Sequence, residues 1–151
     1  MANPVYEVLL TKERLDTPSA IVDLAVGAAV DFSGIVRELE DGREIEGIEY
    51  EAHATMAQYQ LEKIVQQALS DFRLRGVVIH HRVGFVPAGE PSLFVRVTAQ
   101  HRGEAFTASQ WIVDELKRKA PIWKRPRFKI GNEPGKKAGV ADKMASIPSR
   151  A

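Results

Sequence analysis

Seven apolar side chains in the middle of the chain constrain it most. Ala57, Leu61, Ile64, Val65, Ala68, Leu69 and Phe72 fall at i, i+4, i+7, i+8, i+11, i+12 and i+15. That recurrence marks one face of a helix. It predicts a helix over residues 55–75, capped by Thr55 and stopped by Gly76. A helix with one apolar face needs a surface to bury it against, and the flanking segments read as strands that supply one. Residues 92–100 (SLFVRVTAQ) alternate cleanly, with Leu93, Val95, Val97 and Ala99 on one side. Residues 77–86 (VVIHHRVGFV) form another apolar run, separated from the first by a Pro-Ala-Gly-Glu-Pro turn.

The rest of the chain extends this pattern. Residues 5–10 (VYEVLL) predict a first strand. Asp16, Thr17 and Pro18 read as a helix start, giving a short helix to Val26 with Ile21, Leu24 and Ala25 inward and Gly27 as its end. Residues 28–37 (AAVDFSGIVR) and 45–53 (IEGIEYEAH) predict two strands joined as a hairpin with a long charged tip and an Asp41-Gly42 turn. Gly34 interrupts the first of these, as at a bulge. Residues 104–119 form a second long helix, which Pro121 bars from continuing. The expected order is β-α-β-β-α-β-β-α. This is an α+β fold with a mainly antiparallel sheet and packed helices. From Gly131 onward the periodicity is lost, which predicts one domain over residues 1–130 and a flexible basic tail over 131–151.

Several chemistries are excluded or disfavoured. The chain has no cysteine, so disulfides, thiolate metal sites and a cysteine nucleophile are ruled out. Its four histidines, 53, 80, 81 and 101, have no metal-binding spacing. His80 and His81 are adjacent and read as one packed and one exposed residue. No Gly-rich strand-to-helix turn supports a dinucleotide or P-loop site. No resident metal or cofactor is expected. No apolar run reaches the roughly 20 residues of a membrane helix and no secretory signal is visible, so a cytoplasmic protein without membrane contact is expected.

Charge is concentrated. The chain carries a net charge of only +1, yet residues 117–137 hold nine Lys/Arg against Glu133 alone. An anionic ligand or partner near this stretch is implied. His101 and Arg102 precede a helix start, where free N–H groups and an imidazole–guanidinium pair would receive a phosphate or carboxylate. Lys117 ends that helix and Lys124 follows the proline break. Clustered ammonium groups depress each other's pKa, which suits a lysine to acid/base or nucleophilic work. Arg37 is a further anion clamp candidate. Taken alone, each of these also reads as solvated surface.

The blocks FSGIVR, IEYEAHATMA, HHRVG, AQHRGEAF and LKRKAPIWK, in this order, resemble the large, catalytic subunit of molybdopterin synthase over about residues 5–130. The resemblance implies an α/β-hammerhead fold. It implies sulfur transfer from the thiocarboxylated Gly-Gly C-terminus of a small ubiquitin-like subunit to cyclic pyranopterin monophosphate (precursor Z), forming the molybdopterin dithiolene. It also implies a homodimer with a small subunit at each end, a heterotetramer. In that family's pattern Lys117 and Lys124 correspond to the catalytic lysines. Arg37, His101, Arg102 and Arg125 correspond to substrate-binding residues. The chain departs from the pattern at Ile35, His53 and Pro126. Two readings of other classes stand beside this one: a nucleic-acid-binding module using residues 117–137, and a non-catalytic scaffold for a ubiquitin-like partner.

Overall fold

The computed structural model describes residues 3–16, 18–131 and 149–151. In chain order the elements are β1 (Val5–Thr11), β2 (Ala28–Ile35), β3 (Leu39–Glu40), β4 (Arg43–Ala52), α1 (Ala54–Asp71), β5 (Leu74–Arg82), β6 (Gly84–Pro87), β7 (Pro91–Ala99), α2 (Arg102–Lys119), β8 (Ile122–Phe128) and β9 (Ser149–Arg150). They form two sheets. One has the order β1-β5-β7-β2; the other has the order β3-β4-β8-β9, with β6 also paired to β4. Among the described residues only β1 and β5 pair in parallel; the other ladders are antiparallel. The expected α+β class with a mainly antiparallel sheet and packed helices is what the chain adopts.

Both long helices lie where the apolar spacing puts them. α1 buries Ala57, Leu61, Ile64, Val65 and Ala68. These meet Val77, Ile79, Val95 and Val97 of the central strands β5 and β7 in one core. Each large aliphatic side chain sealed there contributes about 1.5–3 kcal/mol. The boundaries of α1 differ from expectation. His53 is the cap, its Nδ1 accepting from the Met56 N–H at 3.2 Å, so Thr55 lies inside the first turn. The helix ends at Phe72, in extended backbone. Gly76 is not its stop but part of β5. A Cβ there would come within 2.8 Å of Thr98 Oγ1, so the glycine serves strand packing.

Three other expectations are corrected. No helix forms over residues 18–26. Asp23 takes up that segment instead: its Oδ1 accepts from Ala25 N at 2.8 Å and its Oδ2 pairs with Arg75 at 2.9 Å. Arg96 holds the Ser19 carbonyl at 2.8 Å. These side-chain bonds replace a helical ladder, and Leu24 stands fully exposed. Next, β2 and β4 are not hairpin partners. β2 pairs with β7, with the register shift at Gly34/Ile35, whereas β4 pairs with the short β3. The Asp41-Gly42 turn joins β3 to β4, both residues at positive φ (51° and 76°), as a two-residue hairpin turn demands. Last, the apolar run 77–86 is two strands. It breaks at Val83 and Gly84 (φ 85°), and β6 crosses to the second sheet.

The basic segment after Pro121 is itself a strand, β8, pairing along β4. Of the expected tail, residues 132–148 lie outside the described residues. Ser149 and Arg150 pair with Lys124 and Trp123 as β9.

Candidate active site

Helix α2 and strand β8 deliver the two lysines. Ala105, Ala108, Ile112 and Leu116 fix the rotation of α2 by being buried, which leaves Lys117 in the last turn off the core face. The chain reverses through Ala120 and Pro121 into β8, where Lys124 stands opposite Tyr50 of β4. Alternate strand residues take opposite faces. Lys124 therefore shares the face of Tyr50 and of the buried Ile48 and Ile122, while Arg125 and Arg127 share the other face with Glu49 and Glu51.

The two lysines differ electrostatically. Lys117 is held below the usual lysine range, first by burial and then by the positive charge of Lys124. No described acid forms an ion pair with it. Lys124 Nζ lies 3.7 Å from Glu40, a carboxylate carried into place by the β3–β4 hairpin.

Behind the lysines the wall is aromatic and polar. The Tyr50 and His81 rings meet edge to face, with centroids 5.4 Å apart. Burial raises the Tyr50 phenol above its usual range; a hydrogen bond with Ser92 opposes this and the Glu40 charge adds to it. The Ser92 hydroxyl also lies 3.4 Å from the Gly34 carbonyl. His81 is lowered to about 4, chiefly by burial, with Lys117 adding and the Arg82 carbonyl opposing. The site thus unites segments from β3, β4, β5, β7, α2 and β8. The arrangement provides one lysine suited to proton transfer or nucleophilic attack, one fixed cation, and a water-poor wall.

Sequence reasoning singles out neither Tyr50, His81 nor Glu40. Tyr50 reads as a strand residue, Glu40 as part of a charged tip, and the histidine pair as one buried and one exposed. In fact both histidines are buried: His80 on one face with Nε2 2.6 Å from Glu7, His81 on the other. The signal available was the strand period, which puts His81 in line with Val77 and Ile79.

The structure sorts the expected substrate-binding residues. Arg37 is exposed and, among the described residues, without a partner. It lies three residues before Glu40, so its Cα is at most about 10 Å from that of Glu40. His101 caps α2 without a side-chain capping bond, and Arg102 opens the helix; both are exposed and have no side-chain partner among the described residues. They are sixteen and fifteen residues from Lys117, at least about 22 Å along the helix axis, and one chain does not bring them to the lysines. Arg125 lies on the face away from Lys124, 3.1 Å from Glu51.

The remaining described cations of the cluster are neutralised locally. Arg118 and Lys119 pair with Glu115 at 3.0 and 2.7 Å. Arg127 pairs with Glu49 at 2.7 Å and lies over the Phe85 ring at 4.0 Å. Lys129 lies 3.8 Å from Glu44.

Comparison with known proteins bears on this arrangement. The family model described as MoaE protein matches residues 10–119, from the end of β1 to the last residue of α2. The molybdopterin synthase catalytic subunit of Pyrococcus abyssi is 44% identical over 101 residues, covering 67% of this chain and 68% of that one. That of Oryza sativa subsp. indica is 40% identical over 109 residues, covering 72% of this chain. The match spans only 56% of the rice protein's length. Among solved structures, the molybdopterin synthase of Staphylococcus aureus superposes with a TM-score of 0.75 at 27% identity, over 80% of this chain and 90% of that one. The family match takes in β4, α1, the central strands and the helix that carries Lys117, so the chain belongs to the MoaE protein family.

Proposed function

We propose that the chain is the catalytic subunit of a molybdopterin synthase. It would transfer sulfur from the C-terminal thiocarboxylate of a small ubiquitin-like subunit to cyclic pyranopterin monophosphate, building the dithiolene of molybdopterin. The names carried by the relatives and the five sequence blocks support this reading. The observation that carries it is the pair of unlike lysines: Lys117, depressed and without an acid partner among the described residues, beside Lys124, held near Glu40. Lys117 would act at the thiocarboxylate carbonyl as acid/base or transient acyl acceptor. Lys124 would stabilise the negative charge that develops as the cyclic phosphate opens. Because the chain has no cysteine, the sulfur must come from another molecule.

Arg37, exposed near the Glu40 hairpin, is the anion clamp this reading assigns within one chain. His101 and Arg102 are a helix length from the lysines of their own chain. They serve the pocket only if a second copy supplies them, which the expected homodimer would do, with a small subunit at each end. Arg125 would act at the outer rim, beyond its pairing with Glu51. The nucleic-acid reading loses support, since Arg118, Lys119, Arg125, Arg127 and Lys129 are already paired with acids. Among the described residues no helix is long and apolar enough to cross a membrane, and we place the reaction in the cytoplasm.

The test is reconstitution. The chain, a thiocarboxylated small subunit and precursor Z are combined, and dithiolene formation is measured. Turnover that is lost in Lys117→Ala and Lys124→Ala supports the assignment; near-normal turnover in both removes it. A stable complex with no turnover would favour the scaffold reading.

A further inference from the structure

The side chain of His81 is almost wholly enclosed, at 2% exposure. It projects from β5 on the face opposite His80, toward Tyr50, which it meets edge-on. Its Nδ1 lies 2.8 Å from the Arg82 carbonyl oxygen. A carbonyl can only accept, so Nδ1 carries the hydrogen and Nε2 carries the lone pair. Among the described residues no group donates to that Nε2. An enclosed acceptor without a donor is costly and rare in folded proteins. Its presence beside a site points to a nearby side chain that swings a donor onto it.

The titratable groups around the ring come from four elements. Tyr50 on β4 and Lys117 on α2 act on the ring itself, and Lys124 on β8 and Glu40 on β3 stand beside Tyr50. Glu40 can only accept when ionised. Lys124 lies beside Glu40, and the Tyr50 hydroxyl is engaged with Ser92. Lys117 alone has hydrogens to give and no described acid to receive them, and its long flexible stem can swing an amino group to the ring. We propose that His81 is a positioning residue for Lys117, its Nε2 accepting a hydrogen from the Lys117 amino group and so fixing the direction in which that nitrogen faces substrate. The imidazole stays neutral in this role, since burial keeps it from taking a proton until about pH 4. It orients the lysine rather than relaying its proton. The inference rests on the reading of Lys117 as the working lysine.

The experiment reads Lys117 directly, in the full chain without substrate. Trace acetylation with acetic anhydride across a pH series, quantified at Lys117 by mass spectrometry, gives the midpoint of its titration. His81→Asn keeps an amide donor for the Arg82 carbonyl and withdraws the acceptor at Nε2. His81→Gln places an oxygen near the Nε2 position. Losing an acceptor for the ammonium form lowers the lysine's midpoint, here by about one pH unit in His81→Asn, while His81→Gln stays at the wild-type value. An unchanged midpoint in folded His81→Asn, or an equal fall in both variants, overturns the inference. If His81→Asn does not fold, His81→Leu, which also lacks an acceptor, takes its place: a fallen midpoint beside a wild-type one in His81→Gln supports the inference, and an unchanged one overturns it. Turnover by Lys117→Ala is scored separately. Normal turnover there removes the catalytic reading of Lys117 while the labelling result on His81 stands.

Discussion

Glu40 Oε1 lies 3.7 Å from Lys124 Nζ, whereas Lys117, on the neighbouring helix end, has no described acid beside it. The pocket therefore holds two lysines in different electrostatic situations. Lys117 is depressed by burial and by the Lys124 charge. Replacing Lys124 by Gln removes the second cause and leaves the first. The titration midpoint of Lys117 should rise toward the ordinary lysine value, by about half a unit to one unit for charges at a partly solvated site. Trace labelling of Lys117 across pH checks this. A midpoint that stays put or falls would mean that the two ammonium groups do not interact.

His81 makes stability depend on pH. Its folded pKa is about 4, against 6.5 for the free side chain, with burial as the main cause. Between those values the unfolded chain binds a proton that the native chain refuses. The contribution is thus fully present above pH 6.5 and is lost as pH falls toward 4, amounting to about 3 kcal/mol over the window. Urea unfolding at pH 4.5, 5.5 and 7 should show wild type losing more stability than His81→Gln, which has no titrating ring there. Parallel losses in the two proteins would argue that other groups govern acid sensitivity.

The cations paired on the protein surface should be dispensable. Arg118 and Lys119 both reach Glu115 across one turn of α2, whose carboxyl is lowered chiefly by the hydrogen bond from Lys119. Such exposed pairs contribute about 0.2–1 kcal/mol. Arg118→Gln and Lys119→Gln should shift the unfolding free energy by no more than about that amount. Precursor Z conversion should change by less than about threefold, because neither side chain faces the lysine pocket. A loss as deep as that of Lys117→Ala would place the whole helix end in the chemistry.

What the sequence made legible follows a physical rule. The faces of α1 and α2 and the alternation of β7 were readable because burial imposes a period on the residues themselves. The lysine pair was named through the resemblance that the LKRKAPIWK block carries; by charge and spacing alone, with Pro121 between positions 117 and 124, it reads as solvated surface. The irregular path of residues 18–26 was not, because it depends on Arg75 and Arg96, which lie far along the chain and hold Asp23 and Ser19. The break at Val83 was hidden inside a continuous apolar run. β8 was hidden too, since its alternating cations read as a charged cluster until β4 supplied Glu49 and Glu51 opposite them. The role of His81 was also out of reach, because Tyr50 and Lys117 reach its ring from other elements.

The separation of His101 and Arg102 from Lys117 sets a final test. If both ends of α2 serve one pocket, they must do so between two copies of the chain, since about 22 Å of helix keeps them apart within one. A double variant His101→Ala/Arg102→Ala and the variant Lys117→Ala should each be inactive alone. Unfolded together and refolded in equal amounts, half of the dimers contain one chain of each kind. In such a dimer one pocket collects every defect and the other collects none, so turnover should return to roughly a quarter of the wild-type rate. The measurement is precursor Z conversion with excess thiocarboxylated small subunit, with each variant refolded alone as the baseline. No recovery in mixtures whose mixed dimers are verified by native mass spectrometry would confine the pocket to one chain and leave His101 and Arg102 outside it.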